Sequence, residues 1–198
     1  AWVYELPAGR GRHYDTRGIV DAIIGGWNIS GQFSAYTGTP FTVGGSGQSL
    51  RCAGSTACNQ TADLVRPLVK VGRKGPGQAY YDPNSFRDPL VFFNPNNPVY
   101  RPGTTGRNAF RGPGFWRLDP LLSKTFTITE RVRTEFRAEA FNITNTPRWD
   151  NPNTGSGGLV LANPSDPLNS PISRTNNFMS ITGAGGLRSV RFGLRTTF

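Results

Sequence analysis

An all-β chain, an antiparallel meander of about five long strands with two long loops, is the fold class that three features of this sequence predict. Segments at 1–6, 27–37, 115–128, 131–143 and 189–198 alternate apolar and polar residues with a period of two. Only 36% of residues are hydrophobic, and the 25 glycines and 16 prolines supply turns and loops, while no helical period lasts beyond a couple of turns. The connections between the alternating segments are short and long in strict turn.

Taken in order, the first segment places Trp2, Tyr4 and Leu6 on one parity and Val3 and Glu5 on the other. Residues 27–37, WNISGQFSAYT, alternate most cleanly: Trp27, Ile29, Gly31, Phe33 and Ala35 oppose Asn28, Ser30, Gln32, Ser34 and Tyr36. In FWRLDPLLSKTFTI (115–128), Trp116, Leu118, Pro120, Leu122, Phe126 and Ile128 oppose Arg117, Asp119, Ser123 and Thr125. Pro120 removes one ladder donor there. In RVRTEFRAEAFNI (131–143), Val132, Thr134, Phe136, Ala138 and Ala140 oppose Arg133, Glu135, Arg137 and Glu139, a ladder of alternating charge. A soluble sandwich would turn that charged side to water, so this strand alone does not separate a sandwich from a barrel. The last segment, SVRFGLRTTF, sets Val190, Phe192, Leu194 and Phe198 against Arg191, Gly193, Arg195 and Thr197. An apolar face carried to the final residue needs a second sheet, a partner chain or lipid to rest on, because chain ends otherwise fray.

Connection lengths separate the readings. Only the TITER turn joins 115–128 to 131–143, and a moderate segment, PAGRGRHYDTRGIVDAIIGG, joins the first two strands; residues 38–114 and 144–188 are long. In an antiparallel sheet every second connection lies at the same end, so both long loops emerge together, as in outer-membrane barrels with long extracellular loops and short periplasmic turns. Structureless loops of this length are uncommon in compact soluble domains. The chain is therefore expected to be a single β-barrel segment over 1–198, part of a transmembrane β-barrel, with 38–114 and 144–188 as extracellular loops. Gln32, Arg117, Asp119, Arg133, Glu135, Arg137, Glu139, Arg191 and Arg195 are expected to face the lumen. Trp27, Ile29, Phe33, Trp116, Leu118, Phe136, Val190, Phe192, Leu194 and Phe198 are expected to face lipid or an assembly partner. With the long loops outside, Phe198 falls at the periplasmic rim beside Trp27, Phe126 and Ile128, as an aromatic girdle requires. About five strands cannot close a barrel, for which about eight is the practical minimum.

The net charge of +10 rests on arginines scattered singly through strands and loops, with no recognition motif, so nucleic acid is not the expected partner. Arginine equally suits carboxylate or phosphate groups. No apolar run approaches the ~20 residues of a membrane helix. Cys52 and Cys58, in RCAGSTACN, read as a small local disulfide of an oxidising compartment, against the alternative of two reduced loop thiols. Two sulfurs and the single histidine, His13, cannot complete a tetrahedral metal shell. A catalytic triad would rest wholly on His13, in a turn segment; GGSGQS (44–49) lacks the Lys and Ser/Thr of a phosphate loop; DPNSFRD (82–88) lacks calcium-loop spacing. No enzyme activity, metal or cofactor is expected. Tyr80, Tyr81, Phe86, Phe92, Phe93 and Tyr100 form either an aromatic ligand surface or the loop's own small core, the latter being favoured.

Several stretches carry a family resemblance. GTTGRNAFRGPGFWRLDPLLSKTF (103–126), ERVRTEFRAEAFNITNTPRWDNPNTG (130–155) and the terminal VRFGLRTTF resemble the C-terminal barrel strands of TonB-dependent receptors, closest to the Oar-like group with a carboxypeptidase-regulatory-like N-terminal domain. YELPAGRGR (4–12) and GGWNISGQFSAYTGTPFTV (25–43) resemble the preceding strands of that group. The resemblance implies an outer-membrane receptor that moves a bulky ligand, whose partners are the rest of the barrel and a plug upstream of Ala1, TonB acting through that plug, and outer-membrane lipid. Thr196 departs from it, standing where the family often carries an aromatic. The strand reading begins at Ala1 with no signal peptide before it, so the chain is expected to be a fragment or a processed product. The alternative expectation is a released extracellular subunit that assembles with copies of itself through strand edges.

Overall fold

The computed structural model of the chain describes residues 1–9, 11–15, 18–45, 60–89, 101–155 and 177–198. Cys52 and Cys58, with their expected disulfide, lie outside the described residues, as do Phe92, Phe93 and Tyr100. In chain order the elements are β1 (Trp2–Glu5), α1 (Ile19–Ile24), β2 (Trp27–Tyr36), β3 (Pro40–Phe41), β4 (Asp63–Leu64), β5 (Phe86–Arg87), β6 (Phe110–Arg111), β7 (Phe115–Thr127), β8 (Arg133–Phe141), β9 (Arg148–Trp149), β10 (Ala184–Gly185) and β11 (Ser189–Thr197). They fall into two compact units, one of Ala1–Tyr36, Phe115–Arg148 and Gly186–Phe198, the other of Thr37–Gly114 and Trp149–Gly185.

The first unit is a five-stranded sheet in the order β1-β2-β7-β8-β11, every neighbour antiparallel. This is the meander expected from the alternating segments, and the sheet is not closed into a barrel. One row across it runs Ile29, Leu122, Ala138, Phe192, each directly opposite the next. The β7–β8 turn is closed by the amides of Ile128 and Thr129, both donating to the Val132 carbonyl at 2.9 and 3.2 Å. Pro120 leaves its mark where a missing donor should: the β7–β8 register stops at Leu121↔Glu139, immediately beside it. Beyond that point the Asp119 carboxylate accepts the Asn142 amide at 2.8 Å, and Asn142 turns the chain with φ 50°.

The connection at 7–26 is more than a turn. Its second half forms α1, six residues whose apolar positions are too few to reveal a helical period in the sequence. Gly31, in the middle of β2, is a position where a side chain would collide. A Cβ there would come within 2.8 Å of the Trp2 indole, which lies across it.

The second unit joins the two long connections. Phe41, Val43, Ala62, Ala79, Tyr80, Tyr81, Phe86 and Phe110 from the first pack in one core with Phe178, Met179 and Ile181 from the second. Phe86 stands edge-on to Phe110 at 5.2 Å and to Phe178 at 6.2 Å. The Tyr80 amide donates to the Met179 carbonyl at 2.7 Å, stitching the two segments together. Read as separate loops, 38–114 and 144–188 do not reveal that their core is shared, because no periodicity within either segment encodes its meeting with the other. Tyr80, Tyr81 and Phe86 do form a core as expected, but it is not the loop's own, since Phe178, Met179 and Ile181 of the other connection complete it.

Candidate functional site

Directly opposed residues of an antiparallel pair project to the same side, so the registers sort every sequence-predicted residue onto one of two sheet faces. One face carries Trp27, Ile29, Phe33, Trp116, Leu118, Phe136, Val190, Phe192 and Leu194. The other carries Gln32, Arg117, Asp119, Arg133, Glu135, Arg137, Glu139, Arg191 and Arg195. Phe198 follows the last strand residue, Thr197, and is almost fully exposed. One slip of register on any strand would scramble this sorting, and none occurs.

Much of the apolar face is bare, while Ile29, Leu118 and Phe136 are half-buried by their neighbours. Phe192 is 73% and Leu194 74% exposed, with Phe33, Trp116 and Val190 also open. Phe33 leans on Trp116 at 6.0 Å, and Phe136 stacks on Phe192 at 6.3 Å. So continuous an apolar surface is foreign to water. Trp27 and Trp116 mark its two ends: the eight-residue interval from Trp27 to Ala35, the partner of Trp116, corresponds to roughly 20 Å along a membrane normal for a strand tilted by about 40°. That is close to the height of the apolar band of an outer-membrane barrel, about 25 Å.

The polar face is held by charge. Arg117 Nε lies 3.0 Å from Asp119 Oδ2, and Arg137 Nε 3.3 Å from Glu135 Oε1. Arg191 stands opposite Glu139 and Arg195 opposite Glu135, and the Arg191 guanidinium covers the Phe141 ring at 5.1 Å. Gln32, opposite Asp119, donates to Ser34 Oγ at 3.1 Å. An open cleft of about 490 Å³ lies against this face, lined by Gln32, Arg117, Asp119, Leu121 and Glu139 among others. Over the face as a whole Arg117, Arg133, Arg137, Arg191 and Arg195 outnumber Glu5, Asp119, Glu135 and Glu139, although the cleft itself holds Arg117 with Asp119 and Glu139.

Sequence reasoning missed Lys124. It shares the parity of Trp116 and Phe126, and pairs with Trp27 and Phe136, so it is a cation on the apolar face. It is only 4% exposed, because Nζ donates to the Ala22 carbonyl of α1 at 2.6 Å and lies 5.5 and 5.0 Å from the Trp27 and Phe126 ring centres. A lone lysine inside an alternating apolar parity was the available signal.

In the second unit the polar groups are structural. Asp63 accepts both Arg101 guanidinium nitrogens, at 2.8 and 2.6 Å, and the Thr104 amide at 2.9 Å. The Asp63 bond raises the Arg101 pKa. Arg87 is fully buried and donates to the Phe86 carbonyl at 2.7 Å; desolvation lowers its pKa. Burial likewise pushes the Tyr81 phenol above its ordinary 10.0, while its hydroxyl donates to the Arg111 carbonyl at 2.8 Å. The 82–88 stretch is a capped turn, with Asp82 Oδ1 accepting the Asn84 amide at 2.9 Å. His13 is exposed beside Tyr14, ring centres 4.8 Å apart. Among the described residues no three of His, Cys, Asp and Glu converge as a metal site would need, and no helix is long and apolar enough to cross a membrane.

An antiparallel meander with one lipid-compatible face, one charged face and alternating short and long connections defines the wall of an outer-membrane β-barrel. Residues 1–191 match the family described as an outer membrane beta barrel domain, and the chain belongs to that family. The bacterial outer membrane is accordingly its location. No curated protein and no solved structure matches it.

Proposed function

We propose that this barrel wall is the C-terminal part of a TonB-dependent receptor of the Oar-like group, which carries a bulky ligand across the outer membrane. The observation that carries the reading is the second unit. Both long connections leave the sheet at the same end, after Tyr36 and Phe141, and both contribute to one packed core. A pore for small solutes has no need of such an investment in loop structure, whereas capture of a large ligand does. The charged face and its cleft then line the lumen, where they meet ligand and a plug supplied by the rest of the polypeptide, with TonB acting through that plug. No catalytic chemistry is part of this proposal.

The test is to isolate the polypeptide bearing this sequence from native outer membranes, measure its intact mass and cross-link it to TonB. A species several times longer than this chain that cross-links to TonB supports the receptor. A stable species of this chain's size, released from cells and assembled with its own copies, would replace the receptor with the extracellular subunit.

A further inference from the structure

We propose that α1 and the rim beneath it form an interfacial anchor seated in the phospholipid leaflet at the short-connection end of the sheet. The inference rests on the lipid-facing assignment of the apolar sheet face and extends it to an element outside the sheet. Helix α1, IVDAII, exposes Ile19 (80%), Val20, Ile23 (65%) and Ile24, and Ile128, in the turn after β7 at the same end of the sheet, is bare as well. A helix of six residues does not persist alone in water. Here it is tied to the strand ends twice: Trp27 Nε1 donates to the Ile23 carbonyl at 2.8 Å, and Lys124 Nζ to the Ala22 carbonyl at 2.6 Å.

Both tethers start from the apolar face, so the exposed ridge of α1 continues the lipid-facing surface past the last strand row. Indole rings and lysines with apolar stems favour the boundary between acyl chains and headgroups. The geometry also resolves the cost of Lys124. A cation on the lipid side of a strand is expensive near the midplane and tolerable at the rim, where the Ala22 carbonyl accepts a hydrogen bond from it and two aromatic faces meet its charge. A cleft of about 430 Å³ beside α1 is lined by Arg12, Asp21 and Lys124, but both cations are already engaged, Arg12 by Glu5 at 2.6 Å and Lys124 by the Ala22 carbonyl, so it is the bare apolar ridge that meets the occupant. The occupant is therefore the lipid of the barrel wall itself, continued past the last strand row.

The test places a nitroxide at Ile23→Cys in the full-length protein, with Cys52→Ser and Cys58→Ser, in vesicles of phosphatidylethanolamine and phosphatidylglycerol. Collision with oxygen should exceed collision with a water-soluble nickel chelate several-fold at Ile23, as at a Phe192→Cys control, and the reverse should hold at Asp15→Cys. Nickel access at Ile23 with a lipid-exposed Phe192 overturns the anchor and leaves the barrel standing. Nickel access at both sites overturns the barrel reading and the anchor with it. Low access to both reagents at Ile23 means a protein covers α1, and overturns lipid as the occupant. In a Lys124→Ala background the Ile23 label should gain mobility and nickel access while Phe192 stays unchanged; an unaltered Ile23 signal removes Lys124 as a tether.

Discussion

Arginine placed at Phe33 and at its neighbour Gln32 probes the two faces of the sheet at one membrane depth. Strand β2 has 10 residues, which at about 3.3 Å per residue and a tilt of about 40° rise roughly 23 Å along the membrane normal. Phe33, counted from Trp27, then lies within about 4 Å of the middle of that rise. Arginine on the lipid side at that depth costs about 2–4 kcal/mol. The Phe33–Trp116 contact at 6.0 Å is lost as well, a further ~0.5–1.5 kcal/mol. A total of about 4 kcal/mol corresponds to a loss of roughly 900-fold in the folding equilibrium. Gln32→Arg should cost less than about 1 kcal/mol, since the new cation faces Asp119 directly across the β2–β7 pair. The assay is urea-dependent folding of the full-length protein into phospholipid vesicles, read from the gel-mobility shift of the folded barrel. Equal sensitivity at the two positions would refute the assignment of faces.

Phe86→Ala should destabilise the second unit by about 3–5 kcal/mol, because the ring is completely buried between Phe110 and Phe178; amide exchange at Tyr80 and Met179 reads the loss. Asp63→Asn should cost about 1–3 kcal/mol through three charge-assisted bonds, with Thr104 amide exchange as the local report. Tyr81 holds its proton longer folded than unfolded, so its contribution is complete below pH 10.0 and is lost as pH rises through the elevated folded value. Tyr81→Phe should remove that part of the alkaline sensitivity, followed by phenolate absorbance.

The sheet was legible because period-two alternation is a local property. Each strand announces its own faces, and antiparallel pairing only has to keep them in phase. Strand ends were less so: β8 starts at Arg133 where alternation already runs from 131, since Val132 continues the parity while its backbone belongs to the turn. Lys124 broke the pattern it sat in, and only its partners on α1 explain why it is there. The second unit was illegible for a different reason. Its core joins Phe86 to Phe178 across a long sequence separation, and no periodicity within either segment encodes that meeting. Tyr80, Tyr81 and Phe86 signalled a core without revealing who completes it.

Strand direction bears on what completes the sheet. Among the described residues strands β1 and β11 pair on one side only, and bare backbone groups cost several kcal/mol each in lipid, so both edges must be covered. Four antiparallel junctions separate β1 from β11, which makes these two edge strands parallel to each other. If copies of this sheet were inserted in one orientation, every edge-to-edge junction between them would be parallel, whereas outer-membrane barrels are antiparallel throughout with an even strand count. Antiparallel closure therefore demands an odd number of further strands between β11 and β1. Strands from elsewhere in one longer polypeptide satisfy that condition; identical copies in a common orientation do not. With Cys52→Ser and Cys58→Ser, copies carrying Gly193→Cys on the β11 edge should fail to cross-link to copies carrying Val3→Cys on the β1 edge in native membranes. Quantitative cross-linked dimer would show that copies meet β11 to β1, and would defeat the parity argument together with the receptor it favours.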